Sequence, residues 1–408
     1  MPSFEQASPW TATLPSAWPN APAEMTVTAL AEIEACPRRW ALGAAPYPDL
    51  WSGRGYPPRV QLSALAGTVV HRALEAITRE LVRAGCPTVR DPMAPKVLKD
   101  LGGYTKVVND CIDRILERLA SSPRATQLLE FAARSLHAQV PELRARAQTM
   151  LCRVRLPQVA SSQVRSQTSK VRGPITQGAF PEIEFRATQI GWKGKADLLL
   201  LSPRACEIID FKTGEQDQDH RFQLQVYALL WSRDEALNPS QRLADRLILT
   251  YGDGSVEIAA PTGAQLDDLE HQVIARREAA HQALSQQPPE ARPSGANCRY
   301  CGVRQLCTEY WLAHTQREIA MQISDRRFTD LELTIAARHG PSSWDAVVDL
   351  SRDVPPGKPA VLRIAGNIEL RSGDRLRVLD AAIAVDADDE EQPAVITLGV
   401  LSETYVIA

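Results

Sequence analysis

The sequence has no basic residue before Arg38, no apolar core of signal-peptide length near its start, and no apolar segment approaching the length of a membrane span. Those absences speak against a secretory leader and a membrane-embedded helix, and they set the expectation of a soluble, cytoplasmic protein with no membrane partner. Aromatic residues make up only 6%, and the net charge is close to neutral at -3, so overall charge points to no particular partner. No G-x4-G-K-S/T phosphate loop occurs, which leaves the chain without a recognisable ATPase motor. There is no internal repeat.

What is present is ordinary globular composition, 44% apolar and 23% charged, over 408 residues, enough for two or three domains with at least one large core. Charge is unevenly placed. From Leu143 to Pro181 there are seven basic residues (Arg144, Arg146, Arg153, Arg155, Arg165, Lys170 and Arg172) and no acidic one. Such a stripe suits a phosphate backbone, and equally suits a solvated connection.

Residues 1–24 are rich in Pro, Ser and Ala and read as an extended arm. Thr28 then caps a short helix with Leu30, Ile33 and Glu34, ended by Cys36-Pro37. Val70, Leu74, Ile77 and Leu81 make one stripe of an amphipathic helix, with His71 at its edge and Gly67 one turn earlier. A helical insertion over about residues 88–150 is expected, broken at Ser121-Ser122-Pro123 and at Pro141. Residues 246–259 read as a hairpin turned at Gly-Asp-Gly, and Thr262 to Gln287 as a helix.

The stretch Glu182 to Tyr227 organises the rest. Apolar alternation up to Ile190, a turn from Gly191 to Gly194, and the runs 198–201 and 208–211 suggest three short strands followed by a helix carrying Gln223 and Tyr227. Asp197 enters the second strand. Asp210 and Lys212, two apart on the third, project from one face. Two carboxylates with one ammonium are what a hard divalent cation needs, the lysine being left to hold a water or a phosphate. Asp-x-Lys alone is also what an ordinary solvated strand end looks like.

Cysteine is used in two ways. Cys86, Cys111, Cys152 and Cys206 sit in apolar surroundings and read as small core residues. Cys298-x2-Cys301-x5-Cys307 is tight enough to chelate a metal, and Cys36 is a plausible fourth ligand that would close most of the first domain into a loop. Zinc is a chemical competitor for such a set.

In order along the chain stand Cys36, Gly67 with His71, Glu184, Gly194 with Asp197, Asp210 to Gly214, Gln223 with Tyr227, and Cys298, Cys301 and Cys307. That order resembles the RecB-type branch of the PD-(D/E)XK nuclease superfamily. More narrowly it resembles the iron-sulfur members, including the AddB nuclease domain and the CRISPR-associated nucleases of spacer acquisition. Ala196 stands where the motif's proline is often found. The resemblance implies an α/β fold with a restriction-endonuclease-like core over 25–310. It implies Mg2+ or Mn2+ bound by His71, Asp197, Asp210 and the Phe211 carbonyl, and a 4Fe-4S cluster on Cys36, Cys298, Cys301 and Cys307. Lys212 would orient water and steady the phosphate, Gln223 and Tyr227 would place Lys212 and the strand, and Glu184 would support the site or act as an alternative ligand.

The function this implies is hydrolysis of phosphodiester bonds by a metal-dependent DNA nuclease, on single strands or duplex ends, in repair, recombination or anti-phage defence of the CRISPR type, with a helicase partner for processive work. The alternative is a catalytically vestigial iron-sulfur scaffold or DNA-binding subunit. After Cys307 a connecting helix over 308–327 is expected. Short alternating runs then follow at 346–350, 360–364, 368–370, 375–385, 394–401 and 405–407, which suggest a small all-β domain over 311–408, an OB-type barrel or a sandwich, with an acidic loop at Asp386 to Glu391.

Overall fold

Apolar periods of about 3.6 and of 2 both occur in this chain, and the computed structural model is accordingly mixed α/β. It describes residues 10–51, 55–157, 172–315, 328–364, 369–385, 389 and 391–407. The chain divides into two compact units, one of Met1–Asn20, Glu32–Arg59 and Ala283–Ala408, the other of Ala21–Ala31 and Val60–Gln282. No helix among the described residues is long and apolar enough to cross a membrane.

The helices are α1 (Val27–Ala35), α2 (Pro37–Ala44), α3 (Pro48–Trp51), α4 (Leu62–Arg83), α5 (Ala94–Asp100), α6 (Gly103–Ala120), α7 (Leu129–Ala138), α8 (Val140–Leu151), α9 (Gln218–Arg233), α10 (Gly263–Ser285), α11 (Gly295–Arg299) and α12 (Thr308–Thr315). Their starts follow local chemistry. The α1 cap is Thr26, whose hydroxyl accepts from the Ala29 N–H at 3.1 Å, rather than Thr28, which lies inside the helix. Pro141 opens α8 instead of breaking a longer helix, because a first-turn proline gives up an N–H that has no helical partner anyway.

Strand β1 (Trp10–Thr11) pairs in parallel with residues 405–406, so the N-terminal arm is in part a sheet edge. The second unit is built on β2 (Gly178–Ala187), β3 (Trp192–Leu201), β4 (Cys206–Lys212), β5 (Arg246–Tyr251) and β6 (Ser255–Ala259), in that spatial order. All neighbours are antiparallel except β4 and β5, which α9 joins as a crossover. The turn before β3 closes at Gly191, in the left-handed region at φ 67°, and Gly194 lies within the strand, not in a turn running on to it.

Both faces of this sheet are covered, which is why its central strands read as continuous apolar runs instead of alternating. Leu198, Leu200, Ile209 and Phe211 pack into one core with the α4 stripe Val70, Leu74, Ile77 and Leu81. Helix α9 packs along β2, β3 and β5, with Phe185 and Trp231 ring centroids 5.9 Å apart. Truncating a fully buried stripe residue such as Leu74 would cost about 2–5 kcal/mol. Cys86, Cys111 and Cys206 are buried as expected, but Cys152 is exposed, because it follows the last turn of α8.

In the other unit, β7 (Phe328–Gly340), β8 (Ser343–Ser351), β9 (Pro359–Ile364), β10 (Arg375–Ala384), β11 (Ala394–Leu398) and β12 (Glu403–Ile407) form the C-terminal β-rich region. Strands β7, β8, β9, β11 and β10 follow one another and β10 returns to β7, so five strands close on themselves around one apolar core. Residues 369–370 are not in a strand, β11 stops at Leu398, and the long β7 was not foreseen. Residues 316–327 of the expected connecting helix, Arg165 and Lys170 of the basic stripe, and Asp386 to Asp388 and Glu390 of the acidic loop lie outside the described residues.

Candidate active site

The antiparallel pairing of Leu198 with Ile209 puts Asp197 and Asp210 side by side, one position further along β3 and β4. Helix α4 adds His71, whose Nδ1 is 3.4 Å from Asp197 Oδ1. The other Asp197 oxygen, Oδ2, accepts from the Phe211 N–H at 2.6 Å, which fixes the carboxylate across the two strands. Lys212 Nζ lies 2.6 Å from Asp210 Oδ2 and donates to Gln223 Oε1 at 2.6 Å. Gln223 Nε2 in turn donates to the Tyr227 hydroxyl at 2.6 Å. Thus an i, i+4 pair on α9 holds the lysine, and the lysine leans on the second carboxylate.

Burial first, and then the adjacent Asp197 charge, push the Asp210 carboxyl up to about 6, against the pull of Lys212 and His71. Burial alone would lower His71, but the hydrogen bond and charge of Asp197 outweigh it, and the imidazole is held above its ordinary value. The Tyr227 hydroxyl is raised by burial and then by Asp210, so it stays neutral as a hydrogen-bond partner.

Among the described residues no three His, Cys, Asp or Glu side chains already stand as a ligand set; at this site Asp197 faces His71 and Asp210 faces Lys212. The donor chemistry nevertheless fits a divalent ion. Asp210 Oδ2 is buried and, although Lys212 is close, has no well-directed hydrogen bond, an unsatisfied hard oxygen of the kind such an ion takes up.

Two glycines let these parts approach. A Cβ on Gly194 would stand 2.7 Å from the Tyr227 ring, so α9 could not lie where it does over β3. A Cβ on Gly67 would stand 2.8 Å from the Thr213 hydroxyl, where α4 passes the end of β4.

Glu184 is engaged away from this group: its Oε1 accepts from Arg186 Nε at 2.6 Å, and its side chain is 43% exposed. Glu182 is the acid on β2 that feels Asp197. It is 16% exposed, paired with Lys195, and raised by burial and then by the Asp197 charge. Its backbone is left-handed at φ 56°, a costly conformation for glutamate that no residue pattern announces.

In the other unit, Cys36, Cys298, Cys301 and Cys307 line one small cavity of about 20 Å³, all four buried and none in a disulfide. Burial raises Cys298 and pushes Cys301 up to about 11 and Cys307 up to about 12, so as bare thiols they are protonated at neutral pH. Arg38, Arg39 and Arg304 line the same cavity, and Arg292 N–H donates to Cys36 Sγ at 3.4 Å. Arg38 is paired with Glu309 and Arg304 with Asp330 and Asp380, and the four soft donors gathered in one buried cavity suit a thiolate-ligated metal or cluster.

A sequence model of the PD-(D/E)XK nuclease superfamily matches residues 24–308. The chain belongs to the PD-(D/E)XK nuclease superfamily. Members of this superfamily are typically metal-dependent nucleases using ions such as Mg2+, so membership suggests nuclease activity, and a nuclease would bind DNA. No curated protein matches the chain. Among solved structures, the crystal structure of SSO0001 is 23% identical over 32% of this chain and 61% of its own, with a TM-score of 0.23. This chain therefore spans less than two thirds of that one. A HINb domain is 8% identical over 57% of this chain and 94% of its own, with a TM-score of 0.16. At those TM-scores neither likeness bears on this superfamily member's fold or function.

Proposed function

We propose that the chain is a Mg2+- or Mn2+-dependent deoxyribonuclease of the RecB-like, iron-sulfur kind, acting on single strands or duplex ends. The observation that carries this reading is the unbroken line His71, Asp197, Asp210, Lys212, Gln223 and Tyr227, all in one unit and in contact from each to the next or through the paired strands. His71, Asp197, Asp210 and the Phe211 carbonyl would hold the ion. Bound there, an ion would make a water easier to deprotonate near neutral pH and would offset charge on the phosphate. Lys212 orients the attacking water and steadies the developing negative charge. Gln223 fixes Lys212, and Tyr227 fixes Gln223. Glu184, facing Arg186, keeps at most a supporting part.

Cys36, Cys298, Cys301 and Cys307 would hold a 4Fe-4S cluster with a structural role. Their shared burial in one cavity, with the Arg292 backbone N–H directed at Cys36 Sγ, supports a metal-ligating use of the four sulfurs over a bare thiol core. Repair, recombination or anti-phage defence are the settings this activity fits, with a helicase supplying unwound strand, and a cytoplasmic location goes with them.

The test is nicking of labelled single-stranded and duplex DNA in Mg2+ or Mn2+, beside Asp210→Ala. Absence of cutting by metal-loaded protein under every condition would transfer the reading to a scaffold whose site is vestigial.

A further inference from the structure

The cysteine cavity has Arg304 in its wall, three residues after Cys301 and three before Cys307, at the start of the short turn Arg304–Leu306. The cysteines and the partners of Arg304 all belong to one unit. An arginine ends in a rigid fork of N–H donors with no acceptor, so a buried one needs something to accept at each nitrogen. Arg304 is 4% exposed.

Two of its three nitrogens are taken. Nε donates to Asp330 Oδ2 at 2.6 Å, and Nη2 donates to Asp330 Oδ1 at 3.2 Å and to Asp380 Oδ2 at 2.9 Å. Asp330 is filled on both oxygens, because the Tyr310 hydroxyl donates to Oδ2 at 2.8 Å and the Asp380 N–H to Oδ1 at 2.9 Å. Asp380 sits where β10 shifts register against β7, in a left-handed backbone at φ 54°, a local cost that accompanies its carboxylate meeting Arg304. Two carboxylates leave Arg304 no spare charge with which to attract an anion. They leave it one donor. Nη1 is buried and has no hydrogen-bond partner among the described residues. A buried N–H left so costs about 1–3 kcal/mol, and a fork fixed at its other two nitrogens cannot turn to find a partner elsewhere.

The nearest acceptors by position are sulfurs. Burial raises the Cys298 and Cys301 thiols, and Arg304 is among the groups that pull both back down, so the guanidinium stands close to them. Thiolates on a metal, and the sulfides of a cluster, accept N–H hydrogen bonds, and such bonds help to set the potential of a cluster. We infer that Arg304 Nη1 donates a hydrogen bond to a sulfur of the metal centre on the four cysteines, which favours the reduced form of an iron-sulfur centre and slows loss of its metal. The inference rests on the reading that these cysteines hold such a centre. Arg304 is a positioning residue here, held for that contact by Asp330 on β7 and Asp380 on β10.

The experiment is a redox titration, followed by electron spin resonance, of the full chain purified without oxygen, with iron, sulfide and zinc assayed on the same samples. Arg304→Lys keeps a cation against Asp330 and Asp380 but has no third nitrogen to offer. At the wild-type midpoint its ratio of reduced to oxidised centre falls about tenfold, a shift of about 59 mV for one electron. Arg304→Met with Asp330→Leu removes a cation and an anion together, so it lowers the ratio through the lost donor alone and serves should Arg304→Lys not fold. Asp330→Asn disturbs the same network but leaves Nη1, and does not lower the ratio. An unchanged ratio in the Arg304 variants, or an equal fall in Asp330→Asn, would overturn the inference and leave the cluster reading standing. Zinc in place of iron retires the cluster reading. For zinc, or for an iron centre that cannot be reduced, the readout is loss of metal to a chelator, about tenfold faster in Arg304→Lys, and an unchanged rate overturns the inference. Wild-type protein with neither metal ends both.

Discussion

Gly67 on α4 and Thr213 at the end of β4 are so close that a Cβ on the glycine would lie 2.8 Å from the threonine hydroxyl. This approach sets the helix that carries His71 against the strand end that carries Asp210 and Lys212. Gly67→Ala is therefore expected to push α4 away and to lower cutting at least tenfold, more than its effect on stability, which overpacking puts at about 1–3 kcal/mol. In Gly67→Ala/Thr213→Ala the remaining neighbour is the Thr213 Cβ at 3.8 Å, an ordinary contact, so the second change restores activity. Steady-state rates and thermal melts of the two single variants and the double check it.

Lys212→Met removes the charge next to Asp210 and the donor to Gln223. Loss of about 10²–10⁴-fold in the cutting rate is expected, with DNA affinity changed little. Gln223→Leu leaves the lysine in place but free to turn, and its loss should be smaller. An equal loss in both variants would contradict the role given to Gln223.

Asp210, raised to about 6 by burial and then by Asp197, carries a proton below that pH. A divalent ion needs the carboxylate, so its binding there releases a proton and its apparent affinity falls as pH drops through about 6. The sign for stability is opposite. A carboxyl whose folded value is raised contributes stability present below its unfolded value, roughly 3.9, and lost as pH rises through about 6. The metal-free protein should then melt lower at pH 7 than at pH 5 through this group, and Mg2+ should close that gap. Calorimetric titration and melts at the two pH values measure both.

Much of this site was legible in the sequence because strand and helix periods alone put Asp210 beside Lys212 and Gln223 beside Tyr227. The glycines were legible as motif members, but not their reason, which needs the position of Tyr227 over Gly194 and of Thr213 over Gly67. Glu182 is not marked by the sequence, since a left-handed backbone at a glutamate leaves no trace in composition or spacing, and the resemblance points only to Glu184, which faces Arg186. The closed set of strands after Cys307 was read as short runs, and β7 was overlooked because Thr, Asp and Glu interrupt its apolar residues. Those polar positions answer tertiary partners: Asp330 is buried against Arg304 and Tyr310.

Arg304 Nε lies 2.6 Å from Asp330 Oδ2 and its Nη2 lies 2.9 Å from Asp380 Oδ2, both contacts within the unit that carries the four cysteines. Although burial opposes it, Arg304 holds the Asp330 carboxyl down at about 2. A depressed carboxylate contributes stability present above its unfolded value and lost as pH falls through the folded one, so this unit should loosen between about pH 4 and pH 2. Asp330→Leu leaves the buried Arg304 with Asp380 as its one remaining carboxylate in this group and removes the acceptor of the Tyr310 hydroxyl, and should cost about 3–5 kcal/mol, whereas Asp330→Leu with Arg304→Met should cost less. Denaturant melts of the three variants decide.

The most direct measurement is made on protein purified without oxygen: cutting of labelled single-stranded DNA in Mg2+ and Mn2+ by the wild type and Asp210→Ala, with iron and zinc assayed on the same sample. The expected result is metal-dependent cutting that disappears in the variant, together with iron retained by wild type and lost on substituting Cys36 or Cys307. Cutting that survives Asp210→Ala, or an iron-loaded wild type that cuts nothing, would contradict the assignment of this site as the catalytic centre.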